Sequence, residues 1–137
     1  MAAGYREREH TADWELEVWG PDMHALLEQA ARGMYALSGV RLWAFPRVSR
    51  EIALEAADRE SLLVAFLSEL LYLTEEERIG FDRFDLDVSE GRDLRLRAIL
   101  EGAEIESQSK EIKAVTYHNL KILEQGRKLK ARIVFDV

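Results

Sequence analysis

From Leu62 to Leu73 only Ser68 and Glu69 are polar. The run is shorter than the roughly 20 apolar residues that a bilayer span requires. A water-exposed helix shows one apolar stripe, whereas a helix apolar nearly all round is covered on several sides. Asp58 or Ser61 supplies an N-cap, so the spacing predicts a helix ending near Glu76 and lying under a sheet. The rest of the chain must supply that sheet.

Strand-like alternation occurs repeatedly. Trp14, Leu16 and Val18 alternate with Glu15, Glu17 and Trp19, which reads as a half-buried strand. Gly20-Pro21-Asp22 stops it, and Asp22 caps a first helix carrying Met23, Leu26, Leu27, Ala30, Met34 and Leu37 at helical spacing, with Gly39 at its exit. Val48, Ile52 and Leu54 mark a strand over 47–56. Phe84, Leu86 and Val88, then Leu94, Leu96, Ala98 and Leu100, form a hairpin around Ser89–Asp93. Residues 104–110 read as another strand or a loop. Leu120 and Ile122, a turn at Gln125-Gly126-Arg127, and Leu129 to Val137 repeat the hairpin pattern. With no linker or repeat, the reading is α+β: one domain over 1–137, a mostly antiparallel sheet and two main helices.

Charge and composition narrow the function. The 137 residues carry a net charge of −7 and no cysteine, which excludes disulfides, zinc thiolates and Cys nucleophiles. All five lysines fall after residue 106. That last segment carries +4, so the first 106 residues carry −11. An acidic body argues against tight non-specific nucleic-acid binding, although the basic end can meet RNA or an acidic partner. The start has no signal-peptide pattern, so a soluble, cytoplasmic protein is expected, without a membrane partner. No P-loop, dinucleotide fingerprint, nucleophile elbow or HExxH helix occurs. His24 reads as a surface residue, and Phe66, Tyr72, Trp43 and Phe45 as core or core-edge packing. No single strand alternates aromatic and basic residues as a base-stacking surface would.

Two aspartates stand apart from the packing pattern. Asp13, in His10-Thr11-Ala12-Asp13, shares parity with Glu15 and Glu17; Asp136 shares parity with Lys128, Lys130 and Arg132. Asp13 thus points away from Trp14, Leu16 and Val18, and Asp136, one residue before the end, reads most simply as solvated. Were they to meet, two carboxylates from distant strands would suit a hard cation, so magnesium, calcium or manganese is favoured over zinc. A third cluster, Lys110 to Asn119, gathers cations, hydroxyls, an imidazole and an amide without clean alternation. It reads either as a sheet edge or as a polar contact surface for a partner or nucleotide.

Taken in order, several stretches resemble the archease family over nearly the whole chain. They are His10-Thr11-Ala12-Asp13, Val18-Trp19-Gly20, Glu60-Ser61-Leu62-Leu63-Val64, Glu69-Leu70-Leu71-Tyr72-Leu73, Glu111-Ile112-Lys113-Ala114-Val115-Thr116-Tyr117-His118, and the closing Ile133-Val134-Phe135-Asp136-Val137. The resemblance implies a non-catalytic protein cofactor of the GTP-dependent tRNA-splicing RNA ligase, promoting attachment of GMP to the ligase, multiple turnover and broader nucleotide use. It implies a divalent cation (calcium, magnesium or manganese) held by Asp13 and Asp136 with Val137 as a further ligand. Lys113, Tyr117 and His118, with His10, are then contacts near that site that face the ligase, and any RNA contact is indirect. Asn119 replaces an expected Gly, and Trp14 a smaller apolar residue; neither change removes a ligand. A general chaperone for RNA-modifying enzymes, using Lys121, Lys128 and Lys130, is the alternative. A metal-dependent hydrolase is disfavoured because a general base and a second set of metal ligands are missing.

Overall fold

A computed structural model describes residues 2–8 and 14–137. The chain runs β1 (Gly4–Arg8), β2 (Trp14–Gly20), α1 (Met23–Ser38), β3 (Arg41–Ala56), α2 (Arg59–Glu77), β4 (Ile79–Glu90), β5 (Leu94–Ser107), β6 (Ala114–Val115), β7 (Leu123–Gln125) and β8 (Lys128–Asp136). The expected α+β class, with two helices and antiparallel pairing, is observed. The strands divide into two sheets: β1-β2-β8-β6, with β7 also on β8, and β3-β5-β4.

The helix ends follow local chemistry. The Asp22 carboxylate accepts from the Ala25 amide at 2.8 Å, and Gly39 closes α1 in the left-handed region at φ 65°. Asp58, rather than Ser61, caps α2 by accepting from the Ser61 amide at 2.7 Å. This contact holds the Asp58 carboxyl below its ordinary value.

Helix α2 is enclosed on several sides, although Ser68 and Tyr72 stay exposed. Leu62, Leu63, Phe66, Leu67 and Leu70 are fully buried, and α2 packs against both β3-β5-β4 and the first helix. The inner face of the first sheet contributes Leu16, Val18, Ala131, Ile133 and Phe135 to the same core. The all-round apolar sequence of α2 is thus explained by two layers meeting around it.

Four expectations are corrected or extended. Gly4–Arg8 forms a strand that the sequence reading left out, and β3 begins at Arg41 rather than Arg47. Strand β5 continues to Ser107, so residues 104–110 divide between strand and loop. Phe66 is core, but Tyr72, Trp43 and Phe45 are 57%, 50% and 82% exposed. Trp43 and Phe45 fall in the part of β3 where the register with β5 is interrupted, between Leu42 and Arg47, so no partner strand covers them.

Candidate functional site at the end of the first sheet

The closing strand determines where the singled-out residues sit. Trp14 is the register partner of Phe135, and Ala114 that of Asp136, so β8 lies between β2 and β6 at this end. Segment 113–116 is fastened to β8 by its backbone. The Lys113 amide donates to the Asp136 carbonyl at 2.8 Å, and the Thr116 amide and hydroxyl both donate to the Val134 carbonyl, at 3.0 and 2.9 Å. Ile112 and Val115 are buried while Lys113 and Ala114 are exposed. The strand here is only two residues long, Ala114–Val115, which is why the sequence showed no clean alternation.

After Thr116 the chain turns. The Leu120 amide donates to the Tyr117 carbonyl at 3.0 Å, and Asn119 occupies the left-handed region at φ 52°. This third position of the turn is where Gly or Asn is favoured. Asn119 therefore does what the expected Gly would do. Tyr117 and His118 are exposed, with the Asn119 Nδ2 3.3 Å from His118 Nε2. Hydrogen bonding to the sheet edge comes from Thr116, leaving the Tyr117 and His118 side chains outward.

The structure thus brings Lys113, Asp136 and Val137 to one sheet end, with Tyr117 and His118 on the adjoining turn. Asp13 and His10 lie outside the described residues. The Asp136 side chain is exposed, and its own carbonyl is engaged by Lys113. Among the described residues no group of three or more His, Cys, Asp or Glu side chains gathers to hold a metal ion.

Two features escaped sequence reasoning. Lys110 Nζ sits 3.7 Å from the centroid of the Trp14 ring, which is itself packed against the core. An ammonium over an indole face is attracted by the ring quadrupole. Beside this pair, a cleft of about 590 Å³ runs between α2 and segment 108–115, with Tyr72, Arg78, Lys110 and Lys113 on its walls together with Glu75 and Glu111. The sequence signal available for it was Tyr72, a polar-tipped aromatic on a helix whose fully buried side chains are aliphatic apart from Phe66.

Comparison with known proteins agrees with this architecture. Residues 5–137 match the family model described as Archease protein family (MTH1598/TM1083). The chain is 34% identical to the archease of Methanosarcina acetivorans, over 97% of this chain and 95% of that one. It is 31% identical to the archease of Methanothermobacter thermautotrophicus, over 98% and 99%. The solution structure of protein 1598 of Methanobacterium thermoautotrophicum superposes with a TM-score of 0.79 at 30% identity, covering 98% of this chain and 99% of the other. The crystal structure of an archease from Thermotoga maritima, described as a possible chaperone, gives 0.68 at 27% identity, covering 96% of each chain. With a family model matched over nearly its whole length, and a fold shared with relatives of known structure, this chain belongs to the archease family.

Proposed function

We propose that this protein activates a GTP-dependent tRNA-splicing RNA ligase as a non-catalytic cofactor. A divalent cation bound by Asp13, Asp136 and Val137 would act at the surface that docks on the ligase. The observation carrying the reading is the backbone bond between Lys113 and Asp136, which makes the Glu111–His118 motif and the closing strand one surface. Asp13 immediately precedes Trp14, and Asp136 immediately follows its register partner Phe135, so the two motifs join the framework at one cross-strand pair.

The donor set fits a hard cation in kind. Calcium and magnesium take oxygen ligands, and Asp136 offers a carboxylate on an exposed strand end next to main-chain carbonyls. Such an ion would supply fixed positive charge for phosphate oxygens. The protein's own residues do the rest. β8 and β6 hold the backbone of Asp136 in place, Lys113 adds an exposed cation at the same sheet end, and Tyr117 and His118 offer an aromatic ring and an imidazole from a turn fixed by Asn119. Alignment of the reacting groups in a step such as guanylylation is worth several kcal/mol in general, and a docked rigid edge would act by supplying part of that alignment.

The test is ligase guanylylation with labelled GTP and this protein at substoichiometric amounts. Faster GMP attachment with repeated ligation cycles is expected. An unchanged rate with the cognate ligase would overturn the activator reading and favour a general chaperone; the Thermotoga maritima relative is described as a possible chaperone.

A further inference from the structure

The solvent face of the first sheet carries an arrangement that no single strand reveals. Residues alternating outward from β1, β2 and β8 come into register as Arg6 beside Glu17 beside Arg132, and Gly4 beside Trp19 beside Lys130. Arg8 and Lys128 complete the face. Its charges are layered. Glu17 and Glu15 keep only 7% and 13% of their side chains exposed, and long cationic side chains lie over them. Glu17 pairs with Arg8 at 3.2 Å and with Lys130 at 3.4 Å, while Arg132, 56% exposed, reaches Glu15 at 3.7 Å. The layer that meets solvent therefore holds five cations, on a protein whose net charge is −7.

Trp19 lies in the middle of this layer. A Cβ at Gly4 would fall 2.8 Å from the Trp19 Cε2, so the ring rests on the Gly4 backbone. The Arg6 guanidinium and the Lys128 ammonium lie over the ring, 5.7 and 5.9 Å from its centroid. An aromatic ring set among basic groups, missing from each strand, thus exists across three of them.

We propose that this outer sheet face binds single-stranded RNA, with Arg6, Arg8, Lys128, Lys130 and Arg132 on phosphates and a base on Trp19. An acidic protein segment would use the cations, but it would leave the indole without a partner. Bases stack on aromatic rings whatever their sequence, and open cationic surfaces track the backbone. The face would hold single-stranded RNA by direct contact. The choice of RNA rests on the ligase-activator reading; the binding itself does not require the ligase.

The experiment is fluorescence anisotropy of a labelled oligouridylate with the isolated protein. Five phosphate contacts predict an affinity loss of about 130-fold between about 50 and 200 mM salt. The double variant Arg6→Ala with Lys128→Ala leaves the ion pairs to Glu15 and Glu17 intact, so it tests the surface without opening the fold. It is expected to weaken binding at least about tenfold and to lower the salt slope by about 1.4. Trp19→Leu should weaken binding of the oligouridylate while leaving that of an oligoglutamate peptide unchanged. Absence of salt-sensitive RNA binding overturns the proposal, as does equal affinity for oligoglutamate. Guanylylation measured separately reads the ligase-activator function, so failure of that reading and failure of RNA binding are distinguishable.

Discussion

The Lys113 amide and the Asp136 carbonyl are hydrogen-bonded at 2.8 Å, so the motif lysine and the closing acidic residue are joined through backbone rather than charge. Both side chains are exposed. The sheet therefore fixes where they start and leaves their charged ends available to a ligand or partner. A site built this way separates scaffold from chemistry, because removing a side chain does not remove the bond that positions it.

Asp136→Ala should thus leave stability within about 0.5 kcal/mol of wild type, as for surface changes that break no buried contact. Ligase activation and calcium affinity should each fall at least about tenfold, or about 1.4 kcal/mol. Asp13→Ala should match it in both readouts. Thermal unfolding, calcium titration and guanylylation on the same samples check this. Retained activation by both variants would remove the metal site from the mechanism.

Lys110 over Trp14 makes a different prediction, about stability. A cation on an indole face contributes about 0.5–1 kcal/mol when exposed and about 2 when desolvated. Both partners are half-buried, with the ammonium 3.7 Å from the ring centroid. Lys110→Met keeps the aliphatic stem and loses the charge, so it should cost about 1 kcal/mol in urea unfolding. No cost would mean that the stem, not the ammonium, holds Trp14 in place.

Most of the architecture was legible because it depends on local chemistry. Asp22, Asp58 and Gly39 mark helix ends through hydrogen bonds formed within a few residues, and the alternation of Leu94 to Leu100 needs only one buried face. What stayed hidden depends on neighbours. Gly4–Arg8 is an edge strand, so Tyr5 and Glu7 are exposed along with Arg6 and Arg8, and no alternation appears. Trp43 and Phe45 look like core residues until the interrupted register leaves them uncovered. Lys110 on Trp14, and Trp19 between Arg6 and Lys128, join residues too far apart in the chain for any window to reveal. The candidate site was legible as separate motifs, but the bond joining Lys113 to Asp136 was not.

Glu17 predicts a pH dependence. Burial raises its carboxyl pKa, but the hydrogen bond and charge of Lys130, with Arg6 and Arg8, outweigh this and hold it below the ordinary 4.5. A carboxyl depressed in the folded state contributes stability that is full above its unfolded value and lost as pH falls through its folded one. Wild type should therefore lose unfolding free energy as pH drops below about 4.5, and Glu17→Gln should show a shallower loss. At neutral pH the substitution should cost about 1.5–3 kcal/mol, the range for a hydrogen bond to a charged group. Chemical denaturation from acid to neutral pH reads both slope and offset. Parallel curves would assign the acid sensitivity to other groups, such as Asp58 and Asp82, whose carboxyls are also lowered.

Gly102 tests the geometry of the second sheet. It pairs with Phe81 on β4 and Val48 on β3, beside the register shift between Phe81 and Arg83. A Cβ at Gly102 would run into the Gly80 carbonyl oxygen, a backbone atom that cannot rotate aside as a side chain would. Gly102→Ala should therefore cost about 3 kcal/mol, at the upper end for overpacking, because β4 must move away from β5. Gly126→Ala is the control: its Cβ meets nothing within 4 Å, but its φ of 64° carries the left-handed penalty of about 1–2 kcal/mol. Urea unfolding of the two variants should rank Gly102→Ala as the more damaging. The reverse order would mean that β4 can slide past the bulge, and that the second sheet is held by its helix contacts rather than by strand register.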